Sequence, residues 1–222
     1  MSTRVKICGL RSETQLDAAL DAGADLVGFV HYAKSPRNVS LDDAAGLVRH
    51  ARGRDGVQAV VLLVDPDDAL VDRVAAEVKP DILQLHGHET PERTEAIRRR
   101  SGLIILKAVP VADADEVAEA FLYLEPEGGA DILLFDAKPP ADPAALPGGN
   151  GLAFDWHILE AARERAPFAL AGGLTPQNVA AAIKLTGAAI VDVSSGVESR
   201  PGEKDPELIR RFLRAAKAAK QS

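Results

Sequence analysis

The chain has 222 residues, 46% apolar and 27% charged, with a formal net charge of −7; that is enough to bury a sizeable core, and the acidic balance argues against nucleic-acid binding, which needs a basic face. Its one cysteine excludes an intrachain disulfide, and its longest aliphatic run, "AVVLLV" from Ala59, is far too short to span a membrane. With no apolar leader in "MSTRVKICGL", the expectation is a cytoplasmic protein with neither a membrane nor a nucleic-acid partner.

Eight aliphatic runs of strand length follow one another: "VKICGL" from Val5, "DLVGFV" from Asp25, "AVVLLV" from Ala59, "DILQLHG" from Asp81, "IILKAV" from Ile104, "DILLFDA" from Asp131, "FALAGGL" from Phe168 and "AIVDVSSG" from Ala189. Their Val, Ile and Leu content suits buried parallel strands. Segments of helical character separate them. Residues 12–22 open at Ser12, with Gln15 at the capping-box position, and residues 40–52 open after Ser40. Residues 67–77, 91–100, 113–124 and 154–165 follow. Thr175 and Pro176 read as an N-cap and a proline at the first helical position. The last helix opens at Asp205–Pro206 and repeats Leu208, Ile209, Phe212, Leu213 and Ala216 at a helical period.

Eight strand–helix pairs predict an α/β fold, a compact (β/α)8 barrel of the TIM type; the alternative from pattern alone is an open doubly wound sheet. The count of eight favours the barrel, as do polar residues lying late in several strands rather than after one glycine-rich turn. No linker or change of composition divides the chain, so one catalytic domain over residues 1–222 is expected. The longest irregular stretch, "KPPADPAALPGGNG" from Lys138 to Gly151, follows the sixth run; an expectation for loops of that length without structure of their own is that they are functional or mobile.

Strand residues alternate between faces. If the aliphatic set of the first strand faces the helices, Lys6 and Cys8 face the interior. By the same alternation Gln84 and His86 share the inner face of the fourth strand, Asp136 lies on the face of Ile132 and Leu134, and Asp192 lies on the face of Ile190 and Ser194. Lys107 is a fifth polar residue late in a strand. Each taken singly has a bland reading: a core thiol, a capping aspartate, a structural histidine. Together, near the mouth where barrels of this type do chemistry, they point to an enzyme.

Gly172 and Gly173 in "LAGGLTPQNV", with Ser194, Ser195 and Gly196 in "VDVSSGVE", occupy the loops after the seventh and eighth strands, the recurrent phosphate site of this fold, and Thr175 would open a helix beside them. Arg37 in "SPRNVS" is either a carboxylate handle or a solvated loop arginine. No nucleotide fingerprint is present. His86 and His88 have no cysteine or carboxylate cluster at ligand spacing, so no metal is expected.

These segments resemble the phosphoribosylanthranilate isomerase family of tryptophan biosynthesis, from "VKICGL" through "GADLVGFV", "KSPRNVS", "LQLHG", "FDAKPP", "GGNG" and "LAGGLTPQNV" to "VDVSSGVESRPGEKD". The resemblance implies a barrel that performs an Amadori rearrangement of a phosphorylated small molecule without a cofactor, as a monomer or homodimer. It implies Cys8 as general base, Asp136 as general acid, Arg37 as partner of the anthranilate carboxylate, and Gly172, Gly173, Ser194, Ser195 and Gly196 as phosphate contacts. His86 and Asp192 match pocket positions. The chemistry adds two expectations: Lys6 beside Cys8 favours its thiolate, and Asp192 lies near enough to Asp136 to help it keep a proton. Another phosphosugar isomerase or epimerase on the same barrel, or a barrel that only binds a phosphorylated ligand, remain the alternatives.

Overall fold

The computed structural model describes residues 3–138, 148, 149, 151 and 154–219. Eight parallel strands close into a barrel in chain order: β1 Arg4–Cys8, β2 Leu26–Val30, β3 Gln58–Leu63, β4 Ile82–Leu85, β5 Ile104–Val111, β6 Ile132–Ala137, β7 Phe168–Leu170 and β8 Ile190–Val193. Between and after them run α1 Glu13–Asp21, α2 Leu41–Ala51, α3 Asp68–Arg73, α4 Pro91–Ser101, α5 Ala114–Ala120, α6 Val179–Thr186 and α7 Pro206–Ala218. A two-stranded ribbon, β9 Glu198–Arg200 and β10 Glu203–Lys204, precedes α7. The open-sheet alternative is thereby excluded.

Helix starts follow the local chemistry. Ser12, Ser40, Asp67, Thr90, Asp113 and Asp205 each accept a backbone N–H two or three residues on, satisfying donors that the helix cannot. Val74–Val78 continues α3 as a π-helix, Phe121–Leu124 continues α5 as a 3-10 helix, and two further segments depart from expectation. Residues 154–165 hold a 3-10 helix, Trp156–Ala162, instead of an α-helix. The helix after β7 begins at Val179, not at Pro176. There the Asn178 carboxamide takes the Thr175 N–H at 2.7 Å and donates to the Gly173 carbonyl at 2.9 Å, so a turn replaces the expected first helical turn. Most of the Lys138–Gly151 stretch, Asn150 included, lies outside the described residues.

The strands pack in two directions. Val5, Ile7, Val27, Phe29, Val61, Leu83, Phe135 and Val191 face the helices and form the main core. Leu26, Val60, Ile82, Leu106, Leu134, Ala169 and Ile190 face inward as an aliphatic floor. Above that floor the inward positions turn polar. At the opposite rim one device recurs three times: the aspartate before an even strand accepts an N–H from the preceding odd strand. Val5 N–H donates to Asp25, Ala59 to Asp81 and Ile105 to Asp131, at 2.7, 2.7 and 2.8 Å.

Lys107 overturns its expected placement. It lies on the outward parity of β5, between Leu106 and Ala108 of the inner floor. Its ammonium is buried against Glu89 at 2.8 Å, donates to the Gly87 carbonyl at 2.9 Å and lies 5.5 Å from the Tyr123 ring centroid. Glu89 also accepts the N–H groups of Asp65 and Gly87, which ties the ends of β3, β4 and β5 together. Removing one partner of a buried pair strands the other charge, at a cost of about 3–5 kcal/mol. Glu89→Ala is therefore expected to lower the urea midpoint sharply, whereas Glu77→Ala, in an exposed pair with Arg73, leaves it unmoved.

Candidate active site

The upper interior of the barrel opens into a cavity lined by Cys8, Arg37, His86, Asp136, Gly172, Gly173, Asp192, Ser194, Ser195 and Gly196. These ten positions come from six different loops and strand ends, and the fold brings all of them to one mouth. Gln84, expected on the inner face of β4, lines it too, and two groups that sequence reasoning did not assign, Glu198 and Lys204, lie behind Arg37.

On one wall, the register of β1 against β8 sets Lys6 beside Asp192. The Lys6 ammonium, fully buried, donates to Asp192 Oδ2 at 2.9 Å and also reaches the Cys8 thiol. Burial alone would push Lys6 down, but Asp192 and Cys8 outweigh it and the net direction is up, so the lysine stays charged. Cys8 moves against expectation. Burial is the largest influence and pushes the thiol up; Lys6 and Lys204 pull it down, Asp192 adds to the rise, and the net direction is up. Burial outweighs the pull of Lys6, and Asp192 beside that lysine adds to the rise, so no resting thiolate is favoured. The space for this cluster comes from Gly28, the register partner of Cys8 on β2. A Cβ there would come within 2.9 Å of the sulfur and 3.1 Å of the Lys6 nitrogen. A glycine inside "LVGFV" was the available signal of such a close approach.

On another wall stands the acid candidate. Ala137 N–H donates to Asp136 Oδ1 at 2.8 Å, and His86 Nε2 faces Asp136 Oδ2 at 3.3 Å. Gln84, wholly buried on β4, places its amide nitrogen 3.1 Å from His86 Nδ1. The side chain that faces Asp136 is thus His86; Asp192, expected to assist it, is held by Lys6 instead. His88 turns away to the surface and pairs with Asp65, and among the described residues no three His, Cys or carboxylate groups converge as a metal site.

Arg37 is not a solvated loop residue. It is buried, and Glu198 grips it through Nε at 2.8 Å and Nη2 at 2.9 Å. Lys204 donates to the same carboxylate at 2.7 Å and to the Ser194 carbonyl at 3.0 Å. Burial pushes Lys204 down against the pull of Glu198; burial pushes Glu198 up, but Arg37 and Lys204 prevail and hold it below the usual carboxylate range. Beyond this network lie the glycine loops. Gly172 and Gly173 both have positive φ, +84° and +62°, and a Cβ on Gly172 would lie 2.7 Å from the Ala137 nitrogen. A Cβ on Gly196 would strike the Leu174 carbonyl oxygen. The Gly172 and Gly196 positions are thus glycine because β6 and the Leu174 backbone pack where a side chain would stand, and all three glycines line the cavity.

Comparison with known proteins follows the same line. Residues 5–215 match the family model described as N-(5′-phosphoribosyl)anthranilate (PRA) isomerase. The N-(5′-phosphoribosyl)anthranilate isomerase of Paramagnetospirillum magneticum is 54% identical, over 99% of this chain and all of the relative. The crystal structure of phosphoribosyl anthranilate isomerase from Thermotoga maritima superposes with a TM-score of 0.85 at 35% identity, over 97% of this chain and 98% of that one. A further such structure, in complex with reduced 1-(o-carboxyphenylamino)-1-deoxyribulose 5-phosphate, gives a TM-score of 0.82 at 34% identity with the same coverage.

The buried thiol makes one measurable statement. An ordinary thiol is half ionised near pH ~8.5, and alkylation follows the thiolate. The rate of Cys8 modification by iodoacetamide, read by mass, is expected to keep climbing above that pH; a plateau below it would show that the lysines outweigh burial.

Proposed function

The chain belongs to the N-(5′-phosphoribosyl)anthranilate isomerase family, and from that premise we propose that it is an isomerase of tryptophan biosynthesis acting through Asp136 as general acid and Cys8 as general base. The reaction is the Amadori rearrangement of N-(5′-phosphoribosyl)anthranilate to 1-(2-carboxyphenylamino)-1-deoxyribulose 5-phosphate, run by one catalytic domain on a phosphorylated small molecule. The observation that carries this reading is the placement of a thiol on β1 and a carboxyl on β6 in the lining of one cavity, with β7 and β8 between them.

The substrate is a closed furanose whose anomeric carbon bears the anthranilate nitrogen. Asp136 passes a proton to the ring oxygen as the C1–O bond breaks, and the nitrogen lone pair forms a C1=N iminium. The iminium acidifies the proton on C2. Cys8 removes that proton, and the electron pair moves to give the enolamine, which tautomerises to the ketose. Cys8 is suited to this order of events. The base is the ionised fraction of Cys8, whose own proton has already left to solvent; burial keeps that fraction small, positive charge developing in the cavity favours it, and a thiolate in such a site is a strong base. Lys6 stays charged beside it throughout and limits the cost of the anion.

Arg37 is pinned on one edge by Glu198, and its Nη1, without a hydrogen-bond partner among the described residues, is the end that meets the anthranilate carboxylate. The backbone of Gly172, Gly173 and Gly196 and the hydroxyls of Ser194 and Ser195 hold the phosphate at the rim. Asp192 and His86 complete the pocket. A plain phosphosugar epimerase would have no use for an arginine held in this orientation, which favours the carboxylate-bearing substrate.

Cys8→Ala and Asp136→Asn are each expected to lower turnover by at least about 100-fold while the circular dichroism spectrum is unchanged. Loss of anthranilate fluorescence with enzymatically generated substrate is the assay, and near-normal turnover in either variant removes that role. Arg37→Ala is expected to raise KM far more than it lowers kcat; a change in kcat alone contradicts the carboxylate assignment.

A further inference from the structure

We propose that Gln84 is a positioning residue that fixes the tautomer of His86, so that this ring can donate toward Asp136 and cannot take its proton. The inference rests on the reading of Asp136 as the general acid. Gln84 sits on β4 with Leu62 and Leu106 as its register partners on either side, among inward side chains of the barrel. It is fully buried, and its Oε1 has no partner among the described residues. An unsatisfied buried acceptor is destabilising, and an aliphatic residue would fill this place without that loss. Packing therefore does not account for a glutamine here.

Its other end does. The amide nitrogen lies 3.1 Å from His86 Nδ1. With the amide nitrogen turned toward the ring, Nδ1 accepts, and in the neutral ring the proton then sits on Nε2. Nε2 is the atom that faces Asp136 Oδ2, at 3.3 Å. Asp136 Oδ1 already accepts the Ala137 N–H at 2.8 Å. As the acid gives up its proton to the sugar ring oxygen, negative charge grows on a carboxylate with a fixed donor set toward each oxygen. In the other tautomer Nε2 would present a lone pair and compete with the substrate for the same proton.

The test combines a spectroscopic and a kinetic readout on the full chain. Long-range 1H–15N correlation, with His86 assigned by signal loss in His86→Asn, reports the tautomer directly. The wild-type protein is expected to show the proton on Nε2. Gln84→Met, similar in volume, is expected to shift His86 toward the Nδ1-protonated form and to lower kcat about 10- to 100-fold, with KM within about twofold. Gln84→Glu fills the same space but accepts where glutamine donates; it is expected to lose turnover too, whereas a space-filling role predicts that it is tolerated. A wild-type ring protonated on Nδ1, or variants with unchanged tautomer and unchanged kcat, overturn the proposal. Asp136→Asn separates the two layers. If it keeps turnover, the acid assignment has failed, whatever the tautomer does; if it loses turnover while the Gln84 variants do not, only the tautomer inference has failed.

Discussion

A fully buried ammonium group organises the mouth of this barrel. Lys6 has no access to water, so its charge must be met inside the protein. The strand register supplies Asp192 from the neighbouring strand, and the two-residue alternation of β1 supplies Cys8 one step nearer the mouth. Gly28 leaves the room in which all three meet. The thiol is thereby held between two opposed influences: a dry environment that favours the proton and a cation that favours its loss. Burial prevails, and positive charge developing in the cavity moves the balance toward the anion, as a base that acts on a substrate cation requires.

Much of this was legible in the chain itself. Each of the eight runs became a strand, and in "VKICGL", "DILQLHG" and "AIVDVSSG" non-aliphatic residues two apart, Lys6 and Cys8, Gln84 and His86, Asp192 and Ser194, fix the inward phase. In "IILKAV" three aliphatics precede the lysine, so nothing local fixes the phase. The pairing of β5 with β4 and β6 decides it, and Lys107 goes outward to Glu89. The missed partners share one cause. Glu198 lies 161 residues from Arg37, and Lys6 meets Asp192 across 186; no local pattern announces such encounters. The late start of the helix after β7 has a different origin, since Asn178 offers a carboxamide that satisfies the turn as well as a helix would.

The same arrangement divides the labour of the interior. Leu26, Val60, Ile82, Leu106 and Leu134 make a dry floor that gives stability, and the aspartates at the far rim bind neighbouring strands by backbone N–H groups. The mouth takes the costs: a charged lysine, an orphaned amide oxygen on Gln84 and an unpartnered Asp192 Oδ1 among the described residues. Costly groups gathered at one end of an otherwise apolar barrel are what a site built for reaction looks like. Arg37 shows the same logic, because Glu198 and Lys204 fix its guanidinium in the protein before any ligand arrives.

The account stands on an acid and a base that address one sugar from different walls. A crystal structure of this protein with a reduced, unreactive product analogue tests that geometry most directly. The account predicts the Cys8 sulfur within about 4 Å of the C2 position, Asp136 within hydrogen-bond reach of the oxygen that closes the ring, and the phosphate on the loops after β7 and β8. A ligand seated with both groups on the same side of the sugar, or with the thiol out of contact with it, would contradict it.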